Sequence, residues 1–314
     1  MLRLVIGVLV CTLIVLLSDI NYDQIIGDID YIYFFLGIIC SWLISCLTSL
    51  RWMIISDSLA GRKVADFDEF LYTNLISRAT GFITAKTIGE LGVKGYWLKK
   101  TKSLSIKTTS HSILLDKLYD SMISGIFLLV VLPFWIGLLE REPIINFTLA
   151  LILALLLIGS RFGAGINQLL STVWNFALSA GSKRFFSKYH PETILASRVI
   201  PTPGFQYLFL ITMVKFLLVV GRIICAALFV GAAIDWQLLI LATPLGQAVA
   251  LISITPGGLG ILEAGWYGIL VSSGVSSSDI IGFLIGQRIM LIVGLISLLP
   301  LVMFFLKPRS ENSF

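Results

Sequence analysis

The sequence predicts an all-α polytopic membrane protein with about six full spans plus two broken or re-entrant helical elements (or eight spans), organised as an inverted repeat. Three observations carry that expectation. Of the 314 residues, 57% are hydrophobic and only 13% charged, with a mean hydropathy of +0.95, whereas soluble domains carry roughly 25% charged residues. Several apolar runs reach the ~20 residues needed to cross a bilayer. Finally, a polar, glycine-rich stretch occurs twice between apolar segments, where a bilayer penalises it.

Taken in order, the first span covers Leu2–Leu17, and no small-x-small cleavage pattern follows it, so it reads as retained rather than as a secretory signal. Asp19, Asp23, Asp28 and Asp30 come next with no Lys or Arg among them, and Arg51, Arg62 and Lys63 follow the second span, Tyr31–Leu50. The positive-inside rule then places residues 19–30 outside and residues 51–68 and both termini in the cytoplasm. Residues 69–98 mix Asn74, Arg78, Glu90 and Lys94 with apolar side chains and are basic on both flanks, so the segment is expected to dip in and return. The remaining spans are Ile113–Leu139, Ile144–Gly159, Phe205–Ala232 and Asp279–Leu306, with residues 140–143 as an external turn. Residues 162–188 read as an amphipathic helix in the interface, with a true span as the alternative. Residues 189–204 read as a turn-rich connection. The chain is one integral membrane domain, 1–314, expected in a prokaryotic plasma (inner) membrane. Its cysteines, Cys11, Cys40, Cys46 and Cys225, all lie in apolar runs, which points to burial rather than to disulfides.

The stretch Thr255–Glu263 packs a proline and the glycines Gly257, Gly258 and Gly260 beside a carboxylate, between two apolar segments. It reads either as a loop at the membrane surface or as a broken element lining a polar site. Gly89-Glu90-Leu91-Gly92 matches Gly257-Gly258-Leu259-Gly260 in pattern. An aromatic pair follows each copy, Tyr96-Trp97 and Trp266-Tyr267, and then a serine-containing link and a long span with a cation, Lys117 or Arg288. The halves of the repeat are about 69–139 and 236–306. If the first link is cytoplasmic and the second external, the copies are inverted, an arrangement transporters use to build a site at the midplane.

Charges inside spans cost at least ~2.5–3.5 kcal/mol each on insertion scales, so each needs a reason. Asp116 and Asp120 share a helix face with Lys117 nearby, either as a neutralised cluster or as a headgroup contact made by Lys117. Lys215 and Arg222 lie seven apart; Arg222 is placed to snorkel outward, while Lys215 is deeper. Glu263 is the expected partner of Arg288. Helix N-termini after Gly92 and Gly260 would add partial positive charge suited to phosphate. No His/Cys/Asp spacing suits a metal, and no nucleophile–base pair, P-loop or dinucleotide fingerprint is present. No catalytic residue, cofactor or nucleic-acid partner is therefore expected.

The run PGGLGILEAGWYGIL (256–270) with Gly286-Gln287-Arg288 resembles the C-terminal signature of the lysylphosphatidylglycerol synthase transmembrane-region family of flippase-like membrane proteins. GELGVKGYWLKK (89–100) resembles that family's earlier Gly-Glu…Arg element, with Lys94 where arginine is usual. Asp116-Lys117-Leu118-Tyr119-Asp120 resembles its Glu-Arg-x-x-Asp element, with like-charged replacements. In the two-domain synthases a soluble aminoacyl-transfer domain follows; here the chain stops at Phe314, so the resemblance implies the membrane part alone, which moves or handles lipids. The substrate-contacting set expected from the repeat, the charged spans and this resemblance is Glu90, Lys94, Asp116, Lys117, Asp120, Lys215, Gly257, Gly258, Gly260, Glu263 and Arg288. The expected function is a lipid transporter or flippase for an anionic lipid or lipid-linked intermediate of the cell envelope. The alternative is a membrane enzyme or accessory subunit of lipid or lipid-linked glycan synthesis, working with a separate soluble transferase or envelope-synthesis enzymes.

Overall fold

Nine helices carry the described residues of the computed structural model, which are 29–84, 86–158, 202–252 and 255–305. They are α1 (Tyr31–Ala60), α2 (Phe67–Ile83), α3 (Lys86–Tyr96), α4 (Ile106–Trp135), α5 (Arg141–Ile158), α6 (Thr202–Phe229), α7 (Trp236–Ile252), α8 (Ile261–Val271) and α9 (Ser277–Phe305), with a π-helical turn at Trp97–Thr101 after α3. No strand occurs among these residues, as expected for backbone that must satisfy its own hydrogen bonds in lipid. Four helices, α1, α4, α6 and α9, are long and apolar enough to cross a membrane. The expected span at 2–17, the interfacial helix at 162–188 and most of the 189–204 connection lie outside the described residues. Residues 202–204, expected as part of that connection, already belong to α6.

One boundary moves in a way that matters. The second span was expected to stop at Leu50, with Arg51 and Trp52 in a cytoplasmic loop. Instead α1 runs on to Ala60 and ends where Gly61, at φ +66°, donates its N–H to the Asp57 carbonyl at 2.9 Å. Both side chains are therefore inside the bundle and fully buried. The charge of Arg51 looked like an end-of-span signal because its neutralising partners lie 65 and 69 residues away in sequence.

The expected polar segments resolve into two helical hairpins of matched dimensions. In the first, α2 has 17 residues and α3 has 11; in the second, α7 has 17 and α8 has 11. Each hairpin leads into a long helix, α4 of 30 residues or α9 of 29. At ~1.5 Å per residue an 11-residue helix is about 16 Å long, roughly half the ~30 Å hydrocarbon thickness. Neither α3 nor α8 can cross alone.

Close glycine contacts hold both hairpins shut. A Cβ on Gly89 would lie 2.7 Å from the Gly81 nitrogen, and one on Gly246 would lie 2.4 Å from the Trp266 ring. The two hairpins also touch each other where their helices break: the Gly257 N–H donates to the Gly81 carbonyl at 2.9 Å. Gly257 sits there at φ +59°, a conformation that disfavours any side chain.

The long helices pack around these hairpins, α1 most extensively against α6. One pole of the bundle is tied by the Asp30 N–H to the Phe229 carbonyl (3.1 Å), the Ala233 N–H to Asp279 Oδ1 (2.8 Å) and the Arg141–Asp235 ion pair (2.6 Å). The other is tied by Arg62 to the Lys102 carbonyl (3.2 Å), by the Lys102–Glu69 ion pair (2.5 Å) and by the edge-on packing of Trp52, Phe70 and Trp97.

Gly89→Ala is expected to lower the melting temperature in detergent by the overpacking of a closed hairpin, about 1–3 kcal/mol. Gly92→Ala, whose Cβ would meet nothing within 4 Å, should leave melting unchanged or raise it. Equal melting of the two variants would contradict the hairpin contact.

Candidate functional site

The site is built outward from Arg51 on α1. Its guanidinium forks between two carboxylates of α4: Nε donates to Asp116 Oδ1 at 2.8 Å, and Nη1 to Asp120 Oδ1 at 2.6 Å. Nη2 donates to the Asp116 carbonyl at 2.9 Å, and Nη1 also to Thr212 Oγ1 of α6 at 3.1 Å. The planar, rigid donor array of arginine suits this; a lysine could not reach all four acceptors.

Lysines take the carboxylate oxygens that remain. Lys94 of α3, 1% exposed, lies 3.5 Å from Asp116 Oδ2 and 4.6 Å from the centre of the Trp52 ring. Lys215 of α6 donates to both oxygens of Asp120, at 2.8 and 2.7 Å. Lys117 pairs with Glu90 of α3. Glu90 and Lys94, four apart on one face of α3, thus reach into α4 rather than to each other. Arg51 and the Trp52–Ser112–Ser56 hydrogen bonds (3.1 and 2.6 Å) were not anticipated as parts of the site.

Arg288 and Glu263 do pair, at 2.5 Å. Glu263 turns its other oxygen to the Gly260 N–H at 2.8 Å, and Arg288 Nη1 donates to the Gly257 carbonyl at 2.7 Å. Together they brace the loop that opens α8. This changes the expectation of free helix N-termini. Gly92 lies within α3, so no helix starts after it; α8 does start after Gly260, and the N–H of that N-cap residue is taken by the Glu263 carboxylate.

A cavity of about 190 Å³ lies between the hairpins and the long helices. Of the expected set, Glu90, Lys94, Lys117, Asp120, Lys215 and Arg288 line it. Asp116, Glu263 and the glycines Gly257, Gly258 and Gly260 are not among its lining residues; Asp116 pairs with Lys94, and Glu263 and the Gly257 carbonyl hold Arg288. Its other charged lining residues are Arg78 of α2 and Arg222 of α6. Neither makes an ion pair among the described residues; Arg78 donates to Ser45 Oγ, and the buried Arg222 Nε has no hydrogen-bond partner.

Arg222 was expected to snorkel toward the surface. It is instead 7% exposed and faces the cavity. Arg78 was legible only as a cation in a segment too apolar for a loop. Asn74, Gln247 and Gln287 add neutral polar groups to the lining.

The family model described as the lysylphosphatidylglycerol synthase TM region matches residues 1–299. The chain belongs to this family. That membership makes it an integral membrane protein of lipid-related function. No curated protein and no solved structure matches the chain.

Removing one partner of a buried ion pair strands the other, at about 3–5 kcal/mol. Asp116→Asn and Arg51→Gln should therefore each lower the melting temperature markedly more than Lys63→Gln, whose ion pair with Asp66 is exposed. Similar melting for all three would show that the Arg51 network does not hold the fold.

Proposed function

We propose that this chain carries an anionic lipid, by its headgroup, through a cavity between two re-entrant hairpins related as an inverted repeat. The matched helix lengths, 17, 11 and 30 residues against 17, 11 and 29, support the repeat. The ties at the two poles support the inversion. The base of the first hairpin is fastened at the pole of Arg62, Glu69 and Lys102, and that of the second at the pole of Asp235 and Asp279. Their tips then meet in mid-bundle at the Gly81–Gly257 hydrogen bond. Halves that close on a central site from opposite sides suit alternating access.

One observation carries the ligand class: Arg78 and Arg222 face the same cavity with no carboxylate partner among the described residues. Every other cation that lines it, Lys94, Lys117, Lys215 and Arg288, has one. A desolvated, unpaired cation is costly and two neighbours cost more. An anionic headgroup offers oxygens to both, while acyl chains remain in the surrounding lipid. Guanidinium pairs are well suited to phosphate oxygens.

A membrane enzyme using Glu263 as a base is less well supported, because both oxygens of that carboxylate are engaged in bracing the α8 loop.

In vesicles holding the purified protein, labelled phosphatidylglycerol should cross faster than in protein-free vesicles. Arg78→Gln and Arg222→Gln should each slow this by about tenfold or more, the loss of a charge-assisted hydrogen bond, with melting unchanged or raised. Absence of movement above protein-free vesicles, for phosphatidylglycerol and for polyprenyl phosphate alike, would end the proposal.

A further inference from the structure

The first hairpin has a second concavity on its other face. A groove of about 500 Å³ runs along it, from Tyr72, Trp97 and Thr101 at the base to Thr84 and Gly89 near the tip. One stripe of α3 forms its floor, with Gly89, Gly92, Val93 and Tyr96 at the i, i+3, i+4, i+7 positions. The glycines keep it open: a Cβ on Gly92 would meet nothing within 4 Å.

The α2 wall offers methyl groups rather than free hydroxyls. Thr80 Oγ1 donates to the Ile76 carbonyl and Thr84 Oγ1 to the Thr80 carbonyl, each at 2.9 Å. The groove is therefore mostly apolar between its base and its tip, with Ile76, Val93 and the glycines beside these methyl groups, and it is open along its side. The opposite stripe of the same 11-residue helix carries Glu90 and Lys94 toward the ion-pair network. Thus α3 is a partition, with charge on one side and hydrocarbon-like surface on the other.

The base of the groove has different chemistry. Tyr96 and Trp97 line it, aromatic side chains of the kind that favour a membrane–water boundary. Lys99 and Lys100 follow them, both exposed, in the π-helical turn, and the Lys100 ammonium lies 5.2 Å from the centre of the Tyr96 ring. A basic turn at the mouth of an apolar groove complements a molecule with one anionic end and a hydrocarbon tail.

We propose that this groove seats one acyl chain of an anionic membrane phospholipid, with its phosphate at Lys99 and Lys100. This resident lipid is separate from any cargo in the cavity, and the inference stands whether or not the cavity transports. By filling the seam between α2 and α3, the chain stabilises the hairpin that presents Glu90 and Lys94.

The test uses the full-length protein in phosphatidylcholine vesicles doped with a phospholipid bearing a photoactivatable diazirine in mid-chain. The headgroup is phosphatidylglycerol in one arm and phosphatidylcholine in the other, and mass spectrometry maps the cross-links. The glycerol probe should label peptides within 72–101 several-fold more than the choline probe. Gly92→Leu, which projects into open space and should fold, is expected to remove most of that labelling. The double variant Lys99→Gln, Lys100→Gln should make the two probes label equally while the chain still enters the groove.

Labelling of 72–101 that Gly92→Leu does not reduce would overturn the proposal. So would equal labelling by both probes in the unaltered protein. A bifunctional cross-link from the groove to residues 162–188, or to a second copy, in place of lipid labelling would assign the groove to that occupant instead. Because Arg78 and Arg222 are untouched in these variants, failure here and failure of cavity transport are separate results.

Discussion

Arg51 is the constraint on which the bundle depends. A guanidinium fully withdrawn from solvent cannot be left without compensation, and its four acceptors come from α4 and α6. Meeting them fixes the depth and rotation of three long helices against one another. Lys94 then joins α3 to the same carboxylates, so the first hairpin is placed by charge as well as by packing. The network also decides what remains. Once Arg51, Lys94, Lys215, Lys117 and Arg288 have taken Asp116, Asp120, Glu90 and Glu263, no carboxylate lining the cavity among the described residues is left for Arg78 or Arg222. The ligand chemistry proposed for the cavity rests on that surplus rather than on any single motif.

The hairpins resolve a conflict between chain and bilayer. An 11-residue helix is too short to span, yet its broken ends carry backbone groups that hydrocarbon cannot satisfy. The two breaks solve this partly for each other, through the Gly257 N–H and the Gly81 carbonyl, and partly through Arg288 and Glu263, which take up the Gly257 carbonyl and the Gly260 amide. Glycine is required at this joint because the backbones approach closely and Gly257 has a positive φ. The same economy appears in α3, where a single helix separates a charged network from an apolar groove. Its glycine stripe allows both close contact with α2 at Gly89 and open space at Gly92.

What the sequence by itself determined was the class of the protein, the long apolar helices α1, α4, α6 and α9 to within their ends, the two polar interruptions and the Glu263–Arg288 pair. Each is a local property: hydropathy, length, glycine spacing or charge in an apolar run is visible within a few turns of helix. The family resemblance carried by 256–270 and 286–288 was equally local, and the match over residues 1–299 agrees with it. Tertiary structure alone decided which charges cancel. Arg51 looked like the basic end of a span, and Arg222 like a snorkelling residue, because local sequence does not show which carboxylate a cation will meet. Asp116 is 65 residues from Arg51, and Asp120 is 95 from Lys215. Coulomb energy in a dry interior depends on distances of a few ångströms between atoms. Only the folded bundle sets those distances, and so only it distinguishes the cations paired with carboxylates from the two that line the cavity with no such partner among the described residues.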